Sequence, residues 1–292
     1  MTKIIAIIVL LFFINQPAIS LNTNCLSLEY KFAEYLIDNL KYNDALKVIS
    51  KMYLCNPQFK SGKDSISYIK ALVFYKIQKM DSAIFYFNHI SDSSVFYTKS
   101  KVFESFCYSY SYDPKKAIIE LKKLNDLNDT LLPKQLFYFL TASNELLKRD
   151  IEAFDTLCSK FDFISYSISQ EQLELKEIGA SIRKFKKKKM WKAALYSAAI
   201  PGLGKNYVGK PGEFGGAFFP ILGLAALTAE SYLVTGLYQP HFWIFASGLT
   251  VFYIGNIWGS ALSVKRAEKQ FEHEVNDKIL LNMHLAIRRI YN

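Results

Sequence analysis

The sequence predicts an all-α chain: a stack of antiparallel helical hairpins forming a solenoid, followed by a hairpin of two transmembrane helices. Three observations predict it. Small residues recur at near-fixed intervals through the first half, two dense apolar runs stand late in the chain, and a basic cluster separates the two regions. The 292 residues are 51% hydrophobic and 15% aromatic, yet carry a formal net charge of +10. Mean hydropathy is +0.07. A water-soluble domain seldom joins a positive mean hydropathy to so many lysines, so apolar and basic residues must be segregated along the chain.

Residues 1–20 read as a signal peptide. Lys3 supplies a weakly positive start, residues 4–14 are continuously apolar, Pro17 breaks the run, and Ala18 and Ser20 provide the small residues of a cleavage site. The apolar run is shorter than the about 20 residues that a membrane span needs. Cleavage leaves a mature chain beginning near Leu21; the alternative is an uncleaved anchor.

Residues 21–169 read as helical repeats. Candidate second helices carry Ala45, Ala83, Ala117 and Ala153, spaced 38, 34 and 36 residues apart. Twelve residues before each stands another small residue: Ala33, Ala71, Ser105 and Thr141. Four residues after each stands an apolar one: Ile49, Phe87, Leu121 and Leu157. Antiparallel helices approach closely only where the facing side chains are small, and large apolar groups one turn away fill the groove. This register resembles the tetratricopeptide repeat over residues 26–160. The resemblance implies a solenoid with a groove for a protein partner, lined from first helices, and makes Tyr68, Tyr75, Lys101 and Tyr108 candidate contacts. The chain departs from the pattern where a large aromatic is expected early in each first helix: Glu29, Ser67 and Lys101 stand there, and only Phe137 conforms. The alternative is a non-repeating helical bundle.

Residues 170–192 read as a basic connecting helix. Arg183, Lys184, Lys186, Lys187, Lys188, Lys189 and Lys192 lie immediately before the apolar part, which favours anionic lipid headgroups over nucleic acid as their partner. Residues 193–264 read as a membrane domain with transmembrane helices at 214–237 and 241–264. Each run of 24 residues makes about 36 Å of helix, against a hydrocarbon core of about 30 Å. Lys265, Arg266 and Lys269 mark the return to a polar surface, and 265–292 reads as an amphipathic helix able to lie on the membrane.

The run GKNYVGK at 204–210 has the spacing of a phosphate-binding loop, but Pro211 stands where the magnesium-binding hydroxyl belongs and no strand precedes it. The wider run PGLGKNYVGK at 201–210, together with FYIGNIWG at 252–259, resembles an uncharacterised bacterial two-helix membrane domain often joined to tetratricopeptide repeats. The resemblance covers about residues 190–270, implies a membrane location and carries no activity. Its motif residues here are Pro201, Gly202, Gly204, Tyr207, Gly209, Tyr253, Gly255, Asn256 and Gly259. Gly248, Gly255 and Gly259 share one helical face, which suits either packing inside the hairpin or pairing with a second copy. Glu230 is the one ionised residue in either run, some 10 Å below the hairpin tip at 1.5 Å per residue. It either snorkels toward the tip or belongs to an ion pathway.

Cys25 and Cys55 bracket the first hairpin, where a disulfide is geometrically reasonable; the alternative is buried free thiols. No catalytic constellation, metal-ligand spacing or cofactor motif stands out among the four Cys and four His. These features lead to a scaffold and not an enzyme: a bacterial inner-membrane protein whose periplasmic repeats hold a protein partner, with membrane lipids as further contacts and no nucleic acid. The alternative is a small oligomeric transporter or ion pathway using Glu230. One conflict stands. Export of the repeats leaves the basic cluster outside, against the positive-inside tendency, unless residues 191–204 cross as a short third segment or the repeats are cytoplasmic.

Overall fold

A left-handed residue closes the first described helix, and the same device returns three more times. The computed structural model describes residues 19–55, 60–126, 133–163 and 167–291, the side chains of 19–26, 53–55, 60–61 and 125–126 aside. Eight helices come in four consecutive pairs: α1 (Ile19–Asp38) with α2 (Tyr42–Cys55), α3 (Lys60–Lys76) with α4 (Met80–Asn88), α5 (Tyr97–Tyr110) with α6 (Pro114–Asp126), and α7 (Lys134–Leu147) with α8 (Ile151–Cys158). Between the members of each pair one residue has positive φ: Leu40 at 60°, Gln78 at 60°, Tyr112 at 62° and Arg149 at 63°. The next amide donates back to the carbonyl five residues earlier: Lys41 to Leu36 at 2.8 Å, Lys79 to Phe74 and Asp113 to Tyr108 at 2.9 Å, Asp150 to Glu145 at 3.0 Å. These bonds satisfy carbonyls that a helix end leaves open. That gain offsets the roughly 1–2 kcal/mol that a side chain in left-handed backbone costs.

The turns set the side-chain register. Seven residues before the first three turns stand Ala33, Ala71 and Ser105, and five residues after them Ala45, Ala83 and Ala117; all six are fully buried. In the α5–α6 pair the approach is close enough for the Ser105 hydroxyl to donate to the Ala117 carbonyl at 3.1 Å. The fourth pair corrects the register read from spacing. Asp113 caps α6 by accepting from the Lys116 amide at 3.2 Å, and Asp150 caps α8 by accepting from the Ala153 amide at 3.1 Å. Ala153 therefore corresponds to Lys116, and the buried pair is Ala142 and Phe154 instead of Thr141 and Ala153. Thr141 is still buried, its hydroxyl donating to the Phe137 carbonyl at 2.8 Å within its own helix, while Ala153 is only half-buried. The turn-to-turn interval, not the alanine-to-alanine interval, carries the period.

Contacts run between neighbours in sequence, within each pair and from α2 to α3, α4 to α5 and α6 to α7. Ser109 adds a buried polar link from α5 to α7, donating to Asn144 Oδ1 at 2.6 Å. All described elements are helical. The remainder are α9 (Ser169–Lys184), α10 (Met190–Ala199), α11 (Leu203–Val208), α12 (Gly212–Thr235) and α13 (Pro240–Tyr291).

The chain divides into two compact units, Met1–Lys176 with Ile279–Asn292, and Glu177–Lys278. In the second unit, α12 and α13 are long and apolar enough to cross a membrane, by length and composition. Their large apolar side chains, among them Phe219, Leu233, Val251 and Trp258, are exposed. Apolar surface on that scale is stable against lipid and unstable against water. Gly236, at φ 73°, ends α12. The sequence reading separates a span at 241–264 from a helix at 265–292; the structure makes them one helix of 52 residues. No glycine or proline follows Gly259, so nothing in the backbone interrupts it.

The end of α13 also differs from the expected surface-lying helix. Ile279, Met283, Ala286 and Ile287, at the i, i+4, i+7, i+8 positions of one stripe, are fully buried. That face is part of the core of the first unit. Burying an Ile or Met side chain stabilises by about 1.5–3 kcal/mol.

Candidate functional site

In the first unit, two of the four side chains expected to line a groove, Tyr68 and Tyr75, lie at the chain's own C-terminal segment. Tyr68 and Tyr75, on α3, are both buried. The Tyr75 hydroxyl shares a hydrogen bond with His284 Nδ1. The His284 ring lies 5.8 Å from the Tyr75 ring and 5.9 Å from Phe106. Burial, helped by the positive Arg288 and Lys76, holds the imidazole below its ordinary pKa, so it sits neutral against the phenol. Burial also raises the Tyr75 phenol. Arg289 Nη2 and Nη1 lie 2.9 and 3.1 Å from the two carboxylate oxygens of Glu171, and Nη1 donates to the Ser167 carbonyl at 3.3 Å. Lys99 donates to the Tyr291 carbonyl at 2.5 Å, its ammonium 5.8 Å from the rings of both Tyr291 and Tyr68. Three polar anchors thus hold the last helical turns over an aromatic floor.

Lys101, on α5, does not face solvent. It lies 2.8 Å from Glu104 and 3.3 Å from Glu120, and donates to Asn88 at 3.1 Å. Burial alone lowers the Lys101 pKa, but the two carboxylates together raise it. Burial raises Glu104 against the pull of that same ammonium. One cation shared by two carboxylates keeps the lysine charged and puts the cost on the more buried acid. Removing one partner of such a pair costs about 3–5 kcal/mol, which marks Lys101 as a structural group. Tyr108 is half-buried beneath the Lys116 ammonium, 5.7 Å from its ring.

In the second unit, the runs at 201–210 and 252–259 join. Gly202, at φ 84°, starts α11, and its amide donates to Asn256 Oδ1 at 3.1 Å. Asn256 Nδ2 donates to the Ser197 carbonyl at 3.4 Å, and the Tyr253 hydroxyl donates to the Ala198 carbonyl. Ser197 Oγ donates to Ser260 at 2.7 Å and accepts from the Gly204 amide at 3.0 Å. A Cβ on Gly204 would stand 2.0 Å from the Ala193 carbonyl oxygen, so only glycine lets α10 and α11 approach this closely. Gly209, at φ 98°, closes α11, and Lys188 Nζ donates to the Tyr207 carbonyl at 2.7 Å. Pro201 supplies the corner, leaving Gly202, Gly204, Asn256, Ser197 and Ser260 as a buried polar knot between the α10–α11 corner and α13. Sequence reasoning missed Ser197 and Ser260. The only signal for them was Ser260 one helical turn after Asn256.

A Cβ at Gly248 would stand 3.9 Å from the Leu224 side chain, whereas one at Gly255 or Gly259 would meet nothing within 4 Å. Those two motif residues stay outside the knot. Glu230 is exposed on α12. The side chains of the expected Cys25–Cys55 pair, and residues 1–18 of the expected signal peptide at 1–20, lie outside what the structure describes. Cys107 is buried, and burial raises its thiol pKa. Among the described residues no three His, Cys, Asp or Glu side chains group as metal ligands. No family model, curated protein or solved structure matches the chain.

Proposed function

We propose that the chain is a tetratricopeptide-like helical scaffold, anchored in a bacterial inner membrane by α12 and α13, that holds a protein partner in the envelope and catalyses no reaction. The observation that carries this reading is the four-fold recurrence of one turn, with a left-handed residue and the same back-donated amide bond at Leu40, Gln78, Tyr112 and Arg149. Repetition at the level of the turn supports a solenoid, in which each pair of helices can bury its apolar face only against its neighbours. The first helices already hold one amphipathic helix, the chain's own residues 279–291, which supports a surface suited to helical ligands.

The same docking bears on topology. Residues 279–291 share a unit with the repeats, so an even number of crossings must separate them. Two spans, α12 and α13, meet that condition, and a third crossing by α10 does not. With the signal segment exporting the repeats, the basic cluster and the C-terminal end are then periplasmic as well. Long domains translocate with little regard to charge, which supports this arrangement against the positive-inside tendency.

Capture of the full chain from bacterial membranes in mild detergent should retain a protein partner in stoichiometric amount, and Glu230→Gln should leave that capture unchanged. Recovery of the chain with lipid alone would sink the scaffold reading. Loss of function in Glu230→Gln with the partner still bound would favour the ion-pathway alternative.

A further inference from the structure

A cavity of about 330 Å³ in the second unit lies beside the basic segment, α11 and α13. Its apolar floor is formed by Val208 and Val264, and Lys184, Lys186 and Lys188 stand along its polar side. The carboxylate that lines it, Glu268, is paired with Lys187 at 2.5 Å and so contributes no net negative charge. Among the described residues, Lys184 and Lys186 have no carboxylate within ion-pair range. Lys188 donates one N–H to the Tyr207 carbonyl, which aims the ammonium and leaves further donors for a ligand. Phe185 stacks on Phe271 with ring centres 3.9 Å apart, holding the lysine-bearing segment against α13.

The position of this cavity along α13 identifies its ligand class. Val264 is the last residue of the apolar run, and Lys265 and Arg266 follow it, so the floor lies where hydrocarbon gives way to headgroups. Trp191 and Tyr196, exposed on α10, are the amphipathic side chains that sit at that depth. We propose that the cavity binds the phosphate headgroup of an anionic glycerophospholipid, with Lys184, Lys186 and Lys188 on the phosphate and the acyl chains passing along the apolar faces of α12 and α13. The proposal rests on the membrane-anchored reading above and adds a specific lipid site to it.

The full chain is purified in mild detergent and reconstituted into nanodiscs of phosphatidylcholine, alone or with phosphatidylglycerol, and lipid carried into the gas phase is identified by native mass spectrometry. Entry into phosphatidylcholine discs tests the anchor alone; failure to enter overturns both readings. The chain should retain phosphatidylglycerol over phosphatidylcholine. Each lysine-to-glutamine change at the cavity should lower that preference roughly fivefold, and Lys184→Gln, Lys186→Gln and Lys188→Gln together about 100-fold, at about 1 kcal/mol per cation. A control triple variant, Lys265→Gln, Arg266→Gln and Lys269→Gln, removes as much charge nearby and should keep most of the preference. Equal retention of both lipids, an equal loss in the control, or full displacement by inorganic phosphate would each overturn the lipid site, the last in favour of a free-anion site.

Discussion

Glycine matters at two kinds of position in this chain, and the structure separates them. Gly204 lies under the Ala193 carbonyl, 2.0 Å from where a methyl group would stand, whereas the space beside Gly255 is open to 4 Å. Gly204→Ala should therefore lower stability by about 3 kcal/mol or more, the upper end for overpacking, and Gly255→Ala should cost little. Thermal unfolding of both variants in the same detergent checks this. A Gly204→Ala chain melting with the wild type would mean that α10 and α11 do not pack as described. Both glycines were legible as motif members. Their different roles were not, because spacing says nothing of what stands opposite a Cα. Lys101 makes the same point: its place on a first helix suggested an exposed contact, and only its two carboxylate neighbours reveal a buried ion cluster.

Among elements, the C-terminal part of α13 differs most from its sequence reading. Its apolar stripe was legible, but a stripe does not say whether lipid or protein covers it. His284 offers a probe of that contact. Its folded-state pKa lies below the ordinary 6.5, first because it is buried and then because Arg288 and Lys76 are near. The unfolded chain therefore binds the proton more readily. Stability from the neutral ring is complete above the unfolded pKa and is lost as the pH falls through the folded value. Amide protection within residues 279–291, taken relative to the intrinsic exchange rate at each pH, should fall between about pH 8 and about pH 5, and His284→Gln should flatten that dependence. Protection in the variant that falls as steeply as in the wild type would assign the effect to other groups. The helix pairs were more legible than this docking, since small residues recur where helices must approach. Their fourth register was misread by one residue because the left-handed turn, not the alanine, marks where each second helix begins.

For the whole molecule, the docked C-terminal end leads to a topology that can be measured. Single cysteines at Lys79→Cys and Arg288→Cys should label from the same side of the membrane. Tyr238→Cys, at the 99% exposed position between the two spans, should label from the other. Labelling of the residue 79 and residue 288 probes from opposite sides would break the two-span arrangement and the docking with it. The all-helical class, the two late apolar helices and the near-periodic first half were decided by the sequence alone, because helical periodicity, apolar length and small-residue spacing are properties of neighbours along the chain. Tertiary structure alone decided that Asn256 binds the Gly202 amide, that Ala142 and Phe154 are the buried residues at the fourth pair's register positions, and that the last turns of α13 cover Tyr75. Each of these depends on which distant surfaces meet, and one residue of phase or one uninterrupted helix changes that without altering the local pattern.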